Sequence, residues 1–507
     1  MKRRLTSLIG MAAAASLTAL PASAQMGMEP GAPQAGNLPG GVSPGVQSQS
    51  KDDWRFDFHG YFTLPFWAGF GTRQNPAAGQ SESTWHAPPL TPANERGTFA
   101  YTNVMPNPWT QLNFSYGTSV VRGTVIIAAK TASSAAGYFN PPNQIGIKDA
   151  YLTLDLPPAE RSKYTVYAGV FTNRYGTMGE YDEGQYATPM IARVEGAGLT
   201  ATGRWKVSNG LQLVAEASAM GSIDKPVLGT IPEGWNGFMD ANVGSTYAFH
   251  GHVGASIQEF AHIGLHAFNS FAKDNQASVQ QQPDANLNLF GLDAHLTMGR
   301  AGHFFAGVSH LDATTVQSLG GVVRYLDTVN GPDLMRNYLG TNSNGTGKIT
   351  TLAAQYDFSL ASAMSKPEQP YSGNGPDLRA SLFFMMTSTD TTDQANTPPD
   401  NRYGICNDTC RKFGGELTYK PFSFMAVGGR ADQVDQDTGN GRRSFTILSP
   451  RLIFSSDWNS QDQIVLQYSR YMYGSEAFAR SPGYDPRDLT YVQPDESTLS
   501  IHATMWW

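Results

Sequence analysis

Charge is scarce in this chain, and so is cysteine. Asp, Glu, Lys and Arg make up 15% of the 507 residues and leave a net charge of -7. That balance gives no electrostatic footprint for a nucleic-acid partner. Long apolar runs are missing as well. Beyond an N-terminal stretch, nothing approaches the ~20 consecutive apolar residues of a spanning helix. The two cysteines are spaced Cys406-Asn-Asp-Thr-Cys410. A metal centre needs more ligands than this pair, and no histidine stands near them, so neither a metal nor a cofactor is expected. No nucleotide-binding loop appears.

What is present begins with an export signature. Lys2-Arg3-Arg4 is a positive start, Leu5 to Leu20 a short apolar run, and Ala22-Ser23-Ala24 a small-residue cleavage site. Residues 1–24 therefore read as a signal peptide. Residues 25–50 are Gly, Pro, Gln and Ser with few large apolar groups. They read as a disordered tail, because too little surface can be buried to offset the ordering entropy. In an oxidising compartment a small-loop Cys406–Cys410 disulfide is the first reading, with free or intermolecular thiols as the alternative.

From residue 51 onward the sequence keeps a two-residue rhythm. Trp54, Phe56, Phe58, Phe62, Leu64, Phe66 and Phe70 share one parity, and Arg55, Asp57, His59, Tyr61 and Thr63 share the other. At the far end Leu499, Ile501, Ala503, Met505 and Trp507 alternate with Ser500, His502, Thr504 and Trp506. Such long alternation marks strands with one face toward lipid and the other toward a polar interior. About eighteen such strands are expected across residues 51–507, closing into an antiparallel transmembrane β-barrel. The mean hydropathy of -0.32 agrees, since only alternate strand residues would meet lipid. Connections alternate long and short, with long ones expected at about 72–108, 172–193, 312–347 and 432–444, and tight turns such as Ser208-Asn209-Gly210 between them. The connection at about 361–376 is too long for its side and leaves the strand register in doubt there.

On this parity Tyr61, Trp109 and Trp506 fall on the polar, lumenal face. First and last strands must pair, since lipid leaves no partner for an open edge. Tyr61 and Trp506 then share one patch, with Trp109 on the adjacent strand. Aromatics there either plug the wall or form a stacking track on which the apolar faces of sugar rings rest, while polar groups hold the hydroxyl rim. The stretch Thr172–Tyr186, with Arg174, Tyr175 and Asp182 on a glycine-rich backbone, is the third external loop and a candidate to narrow the pore.

These residues resemble the maltoporin family of sugar-specific outer-membrane porins. Phe56-Asp57-Phe58-His59-Gly60-Tyr61 is similar to the start of mature members, and Met505-Trp506-Trp507 to their closing residues. Lys148-Asp149-Ala150-Tyr151, Tyr167-Ala168-Gly169 with Arg174-Tyr175, and Gly196-Ala197-Gly198-Leu199 resemble the region of their constriction loop. The resemblance implies an eighteen-stranded homotrimeric barrel in the outer membrane of a Gram-negative cell. It also implies facilitated diffusion of oligosaccharides along an aromatic slide. It places Tyr61, Trp109 and Trp506 on that slide, Gln111 at an acidic track position and Arg174 at a constriction arginine. Thr63 departs from it, standing where the family has an arginine. A general or anion-preferring diffusion porin, or a structural or adhesive barrel, remain the alternatives. No enzyme is expected, because the register places no Ser–His pair together.

Overall fold

The computed structural model of the chain describes residues 54–71, 109–130, 145–157, 161–177, 189–221, 246–258, 260–272, 285–314, 326–327, 346–366, 375–392, 409–438, 441–455, 463–473 and 496–506. The expected signal peptide and tail lie outside them. Strands run β1 (Arg55–Gly71), β2 (Trp109–Gly117), β3 (Val121–Lys130), β4 (Ile145–Asp155), β5 (Ser162–Thr177), β6 (Pro189–Ser208), β7 (Leu211–Gly221), β8 (Thr246–Ile257), β9 (Ala261–Ala272) and β10 (Ala285–Thr297). They continue as β11 (His303–Thr314), the two-residue β12 (Leu326–Asp327), β13 (Thr346–Ser359), β14 (Asp377–Thr392), β15 (Thr409–Phe422), β16 (Met425–Thr438), β17 (Gly441–Ser455), β18 (Gln463–Tyr473) and β19 (Glu496–Trp506).

Each long strand pairs antiparallel with a neighbour on both sides. β1 takes β19 along Tyr61–Gly71 and β2 along Arg55–Tyr61, so the pairing returns to its own start and defines a β-barrel. Setting β12 aside, the described residues hold eighteen wall strands, as the alternation predicts.

The two faces separate by chemistry. Phe56, Leu152, Leu199, Val253, Leu265, Phe290 and Leu382 are exposed on the outside. Asn113, Thr124, Thr200, Ser270, Gln355, Ser469 and Thr498 are buried on the inside. An apolar exterior of this extent is stable only against hydrocarbon. Aromatics gather near the short-turn rim. Trp54 stacks on Tyr116 at 5.1 Å, Phe422 on Phe424 at 5.4 Å, and Trp205 Nε1 donates to Tyr164 Oη at 3.1 Å. Side chains of this kind suit the boundary between acyl chains and water. Inside, polar residues tie neighbouring strands together. Ser115 and Thr124, Thr200 and Ser218, and Ser449 and Ser469 pair through their hydroxyls at 2.9–3.0 Å.

Three sequence expectations change. The loop expected at 172–193 shrinks, because β5 runs on to Thr177 and β6 begins at Pro189. Arg174 and Tyr175 therefore lie on a strand. The long loop expected at 432–444 is absent, since Thr438 of β16 pairs directly with Gly441 of β17. Polar residues on both faces disguise that hairpin. The awkward connection after β13 holds no strand pair among its described residues. It opens with a short helix, α1 (Leu360–Met364), whose N-cap Ser359 accepts from the Ser362 N–H.

Asp377, the first residue of β14, anchors that helix. Its carboxylate accepts from the Ala361 N–H at 2.9 Å, Ser359 Oγ at 2.8 Å and Arg379 Nε at 3.0 Å. Replacing Asp377 by Ala removes all three bonds and should cost about 1–3 kcal/mol. Urea unfolding of the refolded barrel would register the loss, with strand circular dichroism unchanged in the absence of urea.

Candidate functional site: a ribbon across the bore

The β5–β6 hairpin outgrows its neighbours. β4 pairs with β5 only up to Val170, and β7 pairs with β6 only from Ala197. Beyond that level Phe171–Tyr175 of β5 pairs with Ala192–Gly196 of β6 alone. On its free side this ribbon gains β12, where Leu326 pairs with Val194 and Asp327 with Arg193. The connection between β11 and β13, rather than a continuation of the wall, supplies that third strand.

β5 and β6 also come within 8 Å, between α-carbons, of β9, β10 and β11. Those strands stand four to five places further round the wall. At ~4.8 Å per strand that is ~19–24 Å along the sheet. Wall-bound residues cannot close such a gap, so the reach belongs to the ribbon, which leaves the wall and crosses the bore. The inner face of β9–β11 explains where it rests. Phe268, Leu287, Leu289 and Leu311 form an apolar patch on an otherwise polar surface, and all four are buried, as is Phe171 at the root of the ribbon. Leu289 is in register with both Phe268 and Leu311. Apolar residues facing a water-filled space are paradoxical; under a docked ribbon they bury ~1.5–3 kcal/mol of side-chain surface each.

The sequence-predicted residues are placed as follows. Tyr61 stands in register with Trp506 on one side and Gln111 on the other. Trp109 pairs with Lys130, toward the long-loop end of β2. Arg174 pairs with Arg193, and Tyr175 with Ala192, so both belong to the ribbon. Asp182 and Cys406 lie outside the described residues. Cys410 is in β15, in register with Thr387 and Gln436. Lys148 falls in a bulge, since Ile126 pairs with Asp149 and Ile127 with Ile147. That extra residue is why simple alternation misreads β4.

Two clusters on the inner wall escape a reading of single strands. On β15–β18, Arg430 Nε donates to Asp432 Oδ2 at 2.6 Å, with both side chains fully buried. Arg451 bridges both Glu416 oxygens at 2.9 Å and donates to Gln467 at 2.8 Å. Lys412 lies 5.4 Å from the centre of the Phe383 ring. On β8–β11 stand His250, His252, His262, His266, His295 and His303, six of the ten histidines in the chain. His252 stacks on His266 at 4.2 Å, His295 on Phe305 at 4.2 Å, and His266 Nε2 lies 2.7 Å from Asp293 Oδ1. Same-parity histidines on four consecutive strands were the available signal. Among the described residues, no three His, Cys, Asp or Glu side chains already stand at metal-binding spacing.

No protein-family model matches the sequence, and no curated protein does either. Solved structures of outer-membrane barrels overlay on it. The trimer form of OmpT of Vibrio cholerae does so with 11% identity and a TM-score of 0.36, over 90% of this chain and 100% of that one. The channel DcaP of Acinetobacter baumannii gives 11% and 0.39, over 89% and 97%. Wzi of Escherichia coli, a carbohydrate-binding β-barrel, gives 9% and 0.38, over 89% and 84%. Scores this low carry no argument, so the fold assignment rests on the strand pairings of this chain itself.

Proposed function

We propose that the chain is an outer-membrane porin, exported through its N-terminal segment, that lets small hydrophilic solutes diffuse down their gradients. Oligosaccharides are the favoured cargo, with a homotrimer as the favoured assembly. One observation carries the porin reading: among the described residues the barrel is apolar outside and polar inside, and the ribbon of β5, β6 and β12 reaches inward toward β9–β11. The sugar reading rests on Tyr61 standing between Trp506 and Gln111 in the register. Two aromatic residues beside an amide are the groups that a ring with an apolar face and a hydroxyl rim requires. Passage needs binding that is favourable yet weak, which such contacts supply.

Planar-bilayer conductance with linear oligosaccharides as blockers tests this. Sugars should interrupt the ion current transiently. Trp506→Ala and Tyr61→Ala should each weaken that block, from a few-fold to about tenfold, as the loss of one ~0.5–1.5 kcal/mol aromatic contact dictates. Ion conductance should stay level or rise slightly. Open channels that no sugar blocks would remove the carbohydrate reading and leave the porin one.

A second reading has its own support. Arg174 and Arg193 are directly opposite one another on the ribbon. Two arginines at a constriction favour anionic solutes. A reversal potential toward anions, lost in Arg174→Gln, would mark that preference.

A further inference from the structure

We infer that the inner wall of β8–β10 holds a divalent transition-metal ion, of the zinc class, on His252, His266 and Asp293. The three donor atoms converge over Gly264. A β-carbon there would lie 2.6 Å from Asp293 Oδ1, 3.0 Å from His252 Nε2 and 3.2 Å from His266 Nε2. Glycine leaves that point vacant. Bonds from zinc to imidazole nitrogen or carboxylate oxygen measure ~2.0–2.2 Å, so the donors must close inward by roughly an ångström on an ion.

Two independent observations point to a cation. First, His252 is 1% exposed, and neither of its ring nitrogens has a hydrogen-bond partner. A buried imidazole left in that state is unfavourable, and a bound ion would satisfy it. Second, the ligating ring is backed by polar groups. His266 Nε2 faces Asp293 Oδ1 at 2.7 Å, His266 Nδ1 faces His250 Nε2 at 3.4 Å, and Glu216 Oε1 lies 3.5 Å from His250 Nδ1. With an ion bound through Nε2, His266 donates from Nδ1 to His250, whose own N–H then points toward Glu216. That arrangement, a ligating histidine held from behind by further polar groups, is the usual support of a bound metal. Three protein ligands leave a fourth position open.

Untagged full-length protein, folded in detergent, is titrated with zinc chloride in a calorimeter. One saturable site per chain is expected. His252→Gln and Asp293→Asn should weaken it about a hundredfold or more, and Glu216→Gln, two contacts away, about tenfold. Variants are first checked for the strand signature and for gel mobility that changes on heating. Cobalt(II) added to the wild type needs no variant at all. Four- or five-coordinate nitrogen and oxygen ligation gives strong visible bands and supports the site. A pale six-coordinate aqua spectrum, a sulfur charge-transfer band from the cysteines, or zinc affinity indifferent to His252→Gln would each overturn it.

Discussion

Excising Phe171–Gly196 and joining Val170 to Ala197 through an Asn-Gly turn should raise single-channel conductance several-fold. The cut is defined by register. Val170 and Ala197 are already cross-strand partners, β4 pairs no further along β5 than Val170, and β7 begins pairing with β6 at Ala197. The shortened hairpin therefore keeps every wall hydrogen bond and loses only the part that crosses the bore. A two-residue turn suits strands already in pairing register. Conductance should rise because the obstruction is gone, and the preference for any one solute should fall with it. Phe268, Leu289 and Leu311 would then face water, at a cost of ~1.5–3 kcal/mol for each. The open variant should thus unfold at lower urea. Unchanged conductance in a folded variant would mean that the ribbon lies clear of the ion path.

The second large effect concerns stability. Arg430→Ala should destabilise the barrel by about 3–5 kcal/mol, because Asp432 would remain as a charge with its guanidinium removed. Both side chains have no exposed surface, so water cannot substitute. Replacing the pair together, by Met and Leu, should cost far less, since removing both charges also removes their desolvation penalty. Equilibrium unfolding in urea with vesicles present would measure the difference. Equal losses for single and double variants would show that the pair is not a unit.

Much of the barrel is legible in the alternation of the sequence. The eighteen wall strands match the expected number, because lipid and water impose opposite chemistry on alternate residues. The pairing of the first strand with the last followed from the need to close the ring; the register that sets Tyr61 opposite Trp506 comes from the structure. Other features were hidden for identifiable reasons. Alternation reports which way residues point, and says nothing about how far a strand outruns its neighbours. The ribbon formed by β5, β6 and β12 was therefore invisible, and its residues passed for a loop. Where a hairpin rises clear of the membrane, as at Asp435–Thr438, both faces turn polar and the rhythm fades. α1 is five residues long, too short to show a helical period. The histidine cluster needed strands compared with one another: His250, His252, His262, His266 and His295 look ordinary until the register sets them side by side.

A strut from β5 and β6 to β9–β11 divides the interior unequally. On one side it encloses only β7 and β8; on the other it leaves β13 to β19 and β1 to β4. On the proposed porin reading, traffic runs off-centre, past the charged rungs of β15–β18 and the closure seam where Tyr61 pairs with Trp506. A ligand held on the inner face of β8, behind the strut, would stay in place while solutes stream past on the opposite flank.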